Sequence, residues 1–225
     1  MKIVIFAPHP DDELIGAGGS ILEWMEEGHD VHIIYISDGR AAYTYERKMG
    51  RLKETEETKT ITEERLAEIR MKEVDDVVNF LKFPKKYIYK FKFPDQDVKS
   101  YIKEGIKKSK DIIKDASRIV LPSNNESHID HQATHEIAVG AAKELNLHNA
   151  EFYVYALYVT NKAPKAKKIK IRTTKYNKKV YEALLLYKSQ QVLDLVWLSF
   201  DVVKKRHFER FAVFKLSDKG KYYNF

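Results

Sequence analysis

Cysteine is absent from the 225-residue chain, which removes disulfide staples and thiolate metal ligands together. No apolar run approaches the ~20 residues that a bilayer crossing takes. The stretch Met1–Phe6 is too short for the apolar part of a secretion signal, and the polar cluster His9–Glu13 ends it. A soluble, cytoplasmic protein is the expectation. Acidic residues are missing from Phe152 to Tyr181, where nine Lys and Arg lie between Lys162 and Lys179. That asymmetry reads in two ways: an anion-binding surface for phosphate, membrane or nucleic acid, or a solvated loop. The net charge of +7 allows an anionic partner, while a surface rich in Lys and Glu also fits a thermophile. There is no internal repeat and no low-complexity linker. A single domain over 1–225 is expected, with a core at 1–157 and a C-terminal extension at 158–225. Folding a chain of this size buries roughly 70% of its surface, so no staple is required. The oligomeric state is left open, a homo-oligomer included.

Residues 2–7 (KIVIFA) form a β-branched apolar run of the kind buried parallel strands use. Ile15 to Glu27 carries Ile15, Gly19 and Leu22 at helical spacing, with Gly28 as a stop. Residues 30–36 (DVHIIYI) give a second strand. The 40–61 stretch shows no period and is read as a long mobile loop, with Tyr43 and Tyr45 as ligand contacts. An amphipathic helix spans 62–82, with Thr62 at its start. Strand 86–91, helix 96–115, strand 118–121, helix 130–145 and strand 152–156 continue the alternation. Helices at 176–188 and 199–208 and a strand at 210–216 close it. Strands alternating with helices at this spacing predict an α/β fold with a doubly wound, mostly parallel sheet, helices on both faces and a C-terminal extension.

His9-Pro10-Asp11-Asp12-Glu13 stands directly after the first strand, at an edge where open α/β sheets face their ligands. Four ionisable groups packed there repel one another unless a cation compensates; the bland alternative is a solvated acidic turn ahead of a helix. A second cluster, Asn125 to His131, follows strand 118–121. The two loops can bring His9, Asp12 and His131 around one metal, and two histidines with a carboxylate leave a position open for water. His135 lies one turn past His131, but Gln132 stands where a zincin has its Glu. The run Gly16-Ala17-Gly18-Gly19 lacks the spacing of a dinucleotide fingerprint, so its glycines are read as allowing close approach of helix and sheet.

HPDDE after the first strand, the small-residue run at 16–19, Ser37-Asp38-Gly39 and His128-x-Asp130-His131 together resemble the LmbE/PIG-L-like N-acetylglucosaminyl deacetylases. Weaker echoes are Arg70-x-x-Glu73, Tyr187-Lys188-Ser189-Gln190 and Glu209-Arg210-Phe211; departures are Pro8, Ile129 and the basic 162–179 segment. The resemblance implies a Rossmann-like fold and zinc, or another divalent metal, on His9, Asp12 and His131. It implies Asp11 as general base, His128 as the group stabilising or protonating the intermediate, and Asp130 as an orienting residue. Arg70 and Glu73 are implied as substrate contacts, the alternative being a helix-surface ion pair. The substrate implied is an N-acetylated amino sugar or its conjugate. A different function class stays open: a phosphate- or nucleic-acid-binding module with a non-catalytic metal.

Overall fold

The computed structural model describes residues 1–157 and 167–218. Seven strands make one sheet in the order β3-β2-β1-β4-β5-β7-β6. The strands are β1 (Lys2–Ala7), β2 (Asp30–Ser37), β3 (Ile88–Phe93), β4 (Arg118–Pro122), β5 (Glu151–Tyr155), β6 (Lys167–Arg172) and β7 (Phe208–Phe214). The first five are mutually parallel; β7 runs antiparallel to β5, and β6 antiparallel to β7. The helices are α1 (Asp12–Glu26), α2 (Ala42–Lys48), α3 (Glu56–Thr60), α4 (Glu63–Leu81), α5 (Ile102–Ile113), α6 (Ile129–Glu144), α7 (Asn177–Leu184) and α8 (Asp194–Lys205).

Alternation along β1 explains why both faces are covered. Ile3, Ile5 and Ala7 pack with α1, α4, α7 and α8 in one core. Val4 and Phe6 pack with α5 and α6 in the other. The sheet is therefore doubly wound, as expected. The chain leaves β1 in both directions, so the order reverses between β1 and β4. That reversal opens the crevice in which such sheets bind ligands.

Close packing explains the small-residue run. A Cβ on Gly16 would lie 2.5 Å from the Tyr155 ring, one on Gly18 2.6 Å from Val180, and one on Gly19 2.4 Å from Thr173. Helix α1 is also broken at Ala17, whose φ of −145° is not helical. The freed N–H groups of Gly19 and Ser20 donate to the buried Glu209 carboxylate, each at 2.8 Å, and Arg206 pairs with the same group. Charge on the donors of a helix start favours such an anion.

Several expectations need correction. The 40–61 stretch holds α2 and α3. Tyr43 anchors α2 against Leu66 and Leu193, and Arg47 donates to the Thr58 carbonyl at 2.5 Å. Part of the basic segment, read as a loop, is strand β6, and 158–166 lies outside the described residues. Some of its cations are already engaged: Lys175 pairs with Glu26 at 2.6 Å, and Lys178 lies 3.9 Å from Glu182. Strand β3 runs two residues later than expected, and α8 starts five residues earlier. Thr62 does cap α4, accepting from the Arg65 N–H at 3.2 Å. Among the described residues no helix is long and apolar enough to cross a membrane.

Candidate active site

Strand β1 delivers its chain to the crevice through Pro8, whose carbonyl accepts from Ser37 N–H at 2.9 Å. His9 and Asp11 occupy the turn, and Asp12 opens α1. Asp11 takes φ 108°, a backbone region that side-chain-bearing residues seldom enter. Holding it there costs about 1–3 kcal/mol, a cost found mostly where surrounding structure over-determines a functional group. From the far side β4 leads into His128, which precedes α6, and His131 in the first turn of that helix.

The two loops meet on one carboxylate oxygen. Asp12 Oδ2 lies 3.0 Å from His9 Nδ1 and 3.3 Å from His131 Nε2, and it accepts the His9 backbone N–H at 2.9 Å. His9, Asp12 and His131 are all buried, and their ligand atoms lie within 4.8 Å of one another. A second grouping of His9, Asp95, His128 and Asp130 satisfies the same distance, and it shares His9 with the first. The far ring nitrogen of His9 faces the carboxylates of the second grouping. Nε2 is 3.1 Å from Asp95 Oδ1 and 3.4 Å from Asp130 Oδ2, which is the outer carboxylate contact that metal-bound imidazoles make through their other nitrogen. The donor set His9, Asp12, His131 with Asp95 behind it fits a divalent metal of the zinc type.

Neighbouring carboxylates are driven apart electrostatically. Burial pushes Asp12 upward, but His131 and His9 outweigh it and hold the group well below the usual carboxylate range. Burial dominates at Asp11 and raises it, Asp12 and Glu13 adding to the rise against Arg70. Asp95 is held low by His9, His128 and Arg70 in spite of burial. Paired carboxyls with opposed environments are how acid and base roles separate in one site.

The Nδ1 of His128 accepts the Asp130 backbone N–H at 3.2 Å, and its Nε2 lies 2.8 Å from the side-chain amide nitrogen of Gln96. Burial, aided by His9 and His131, takes its pKa down to about 3. The ring is thus neutral at neutral pH, whereas a cationic ring would break its cap on α6. Asp130 accepts from Gln96 N–H at 2.7 Å and Val98 N–H at 3.2 Å, so it fixes the turn after β3 as well as facing His9.

A cavity of about 450 Å³ opens over these groups, lined by His9, Asp11, Asp12, Arg70, Asp95, His128 and His131. Tyr45 from α2 and Gln190, Leu193 and Leu195 from the C-terminal part complete its wall. The expected substrate contacts divide. Arg70 lines the cavity, yet its guanidinium donates to the Pro10 carbonyl at 2.6 Å, the Gly39 carbonyl at 3.2 Å and Asp11 Oδ2 at 3.3 Å. Glu73 is buried behind the wall, accepting the N–H and Oγ–H of Ser189 at 2.7 Å each. Tyr43 donates to the Ser189 carbonyl at 2.8 Å. Tyr43 and Glu73 are absent from the lining; they pin the turn that presents Gln190, while Tyr45 faces the cavity. Arg70 and Glu73 do not form a surface ion pair, since both are buried. His135 donates to the Pro122 carbonyl at 2.8 Å and serves the framework. Asp95 and Gln96 were not picked out from the sequence. Their signal was the same as that of His9, a polar turn at the carboxyl end of a strand.

Comparison with known proteins adds to this geometry. The family model described as GlcNAc-PI de-N-acetylase, PIG-L, matches residues 4–142. The chain belongs to that family. The match spans β1 to α6 and thus contains both loops that meet at Asp12. The fold is similar to that of N,N'-diacetylchitobiose deacetylase from Pyrococcus horikoshii, at 21% identity over 95% of this chain and 84% of that one, with a TM-score of 0.70. It is also similar to a deacetylase of the teicoplanin biosynthesis pathway, at 15% identity over 97% of this chain and 100% of that one, with a TM-score of 0.72. A PIG-L family chain also has a curated relative named putative glucosamine-6-phosphate deaminase-like protein, from Bacteroides thetaiotaomicron. The two are 44% identical over 41 residues, 18% of this chain, and the chain spans only 6% of that relative's length.

Proposed function

We propose that this PIG-L family protein is a metal-dependent deacetylase that hydrolyses the N-acetyl group of an N-acetylglucosamine-type sugar or conjugate, releasing acetate and a free amine. The observation that carries the reading is the division of labour between adjacent carboxylates. Asp12 is turned onto two imidazoles from distant loops, while Asp11 is turned toward Arg70 and the cavity. His9, Asp12 and His131 hold the metal, zinc by the chemistry of the donor set. When bound, the ion supplies Lewis acidity, polarising an amide carbonyl and acidifying water.

The chain's own groups do the rest. Asp11 takes the proton of the attacking water as general base. Its burial makes it a stronger base than an ordinary carboxylate. His128 stabilises the oxygen of the scissile carbonyl as negative charge builds on it. The C–N bond then breaks, and the proton held by Asp11 passes to the departing amine. Asp95 and Asp130 fix the ring of His9. Tyr45, Gln190 and Leu193 supply polar and apolar surface for a sugar ring.

The test is incubation of zinc-loaded protein with N-acetylglucosamine mono-, di- and inositol-linked compounds, with detection of new primary amines. Asp11→Asn is expected to retain its metal and lose most turnover; unchanged turnover in that variant removes the base assignment.

A further inference from the structure

One peptide unit in the site is gripped at both poles. The Pro10 carbonyl oxygen accepts from Arg70 Nη2 at 2.6 Å, and the N–H at the other end of the same peptide, that of Asp11, donates to Glu13 Oε2 at 3.0 Å. A guanidinium thus faces the oxygen and an accepting carboxyl oxygen faces the nitrogen. The orientation matters because Asp11 sits at φ 108°, ψ −31°. A half-turn of that peptide plane would return Asp11 to the ordinary right-handed helical region. It would also aim the carbonyl at the Glu13 carboxylate and the N–H at the Arg70 guanidinium. The donor on one side and the acceptor on the other therefore select the unusual backbone state and reject the common one.

Glu13 is itself held from a distance. Its other oxygen, Oε1, accepts from Tyr187 Oη at 2.7 Å, and both residues are fully buried. Tyr187 lies just beyond α7, outside the stretch that the family model matches. Neither residue lines the cavity, so neither can touch substrate.

We infer that Glu13 and Tyr187 are positioning residues that lock the Pro10–Asp11 peptide, and so aim the Asp11 carboxylate at the attacking water. The inference rests on Asp11 acting as the base. Glu13→Ala is expected to lower kcat by about 100-fold with KM and bound zinc unchanged, the scale of loss when a reacting group is displaced slightly. Tyr187→Phe, which deletes one hydroxyl, is expected to lower kcat by about 10-fold. Glu13→Gln keeps an acceptor oxygen for the Asp11 N–H and is expected to recover most of the turnover lost in Glu13→Ala.

The measurement is kcat and KM per zinc-loaded, folded molecule on whichever acetylated sugar the wild type turns over, with metal content and thermal midpoint recorded for each variant. If Glu13→Ala does not fold, Tyr187→Phe decides the matter. Thermal midpoints that fall while kcat per loaded molecule stays at the wild-type value would overturn the inference, leaving a stabilising role only. Zinc lost in step with kcat would overturn it as well, by placing the effect on the metal ligands. Asp11→Asn separates the two claims. An active Asp11→Asn sinks the base reading beneath both, whereas an inactive one beside a fully active Tyr187→Phe and Glu13→Ala sinks the clamp alone.

Discussion

Gly39→Ala probes the link between backbone and site most directly. Gly39 has φ 68°, and a Cβ there would lie 2.1 Å from Arg70 Nη1 and 2.5 Å from Arg70 Cζ. The guanidinium cannot swing clear, being bonded to Pro10, Asp11 and Gly39 itself. Two costs add. Placing a side chain in the left-handed region costs about 1–2 kcal/mol, and forcing an atom into a packed interior costs about 1–3 kcal/mol more. Gly28→Ala isolates the first, since Gly28 has φ 79° and nothing within 4 Å of its would-be Cβ. For a chain of this size about 1 kcal/mol moves the thermal midpoint by about 2–4 °C. Gly28→Ala should therefore lose a few degrees and keep its turnover. Gly39→Ala should lose about twice as much or more, and its turnover should fall roughly 10-fold or further as Arg70 drags the Pro10–Asp11 peptide out of place. Differential scanning fluorimetry and amine-release kinetics on the two proteins read this out. Equal midpoints and equal turnover in both variants would refute the reasoning that Arg70 is rigidly seated.

His131→Ala should strip the metal, measured by elemental analysis of purified protein, and a full zinc complement in that variant would remove His131 from the ligand set. Acid should weaken the fold through His135, whose burial, with Lys143 adding, depresses its pKa to about 4. An unfolded histidine titrates near 6.5, so between about 6.5 and 4 the unfolded chain binds a proton that the native state refuses, and stability falls as pH drops through that window. Urea unfolding in chelator should show wild type losing roughly 2 kcal/mol more than His135→Asn between pH 7 and pH 5; parallel losses would refute the assignment.

Strand and loop identities were legible where burial leaves a mark on sequence. KIVIFA and RIVL are apolar because each is buried in the parallel sheet, and the His9 and His131 loops follow them directly. Asp95 was hidden by a strand boundary two residues out of place, which left it in an unremarked connection. Helix α2 was hidden because little of it besides Tyr43 is buried, so no periodic stripe exists to be read. Strand β6 alternates Lys with Ile, but its Lys content pointed to a charged loop. Helix α8 exposes Leu195, Leu198 and Val202, and an apolar face turned outward confuses any rule that takes apolar for inward. The roles of Glu73 and Tyr43 could not be read locally at all, because they depend on Ser189, more than a hundred residues away.

The break in α1 at Ala17 has a consequence for how the molecule is assembled in time. Asp12, one of the proposed metal ligands, opens α1, yet the carboxylate that completes this helix belongs to Glu209, about 190 positions downstream. Contacts of such long sequence separation form late because the loop must close before they reward it. A chain halted before β7 has all three proposed ligands but an unfinished α1, so the helix that carries Asp12 is complete only once β7 is in place.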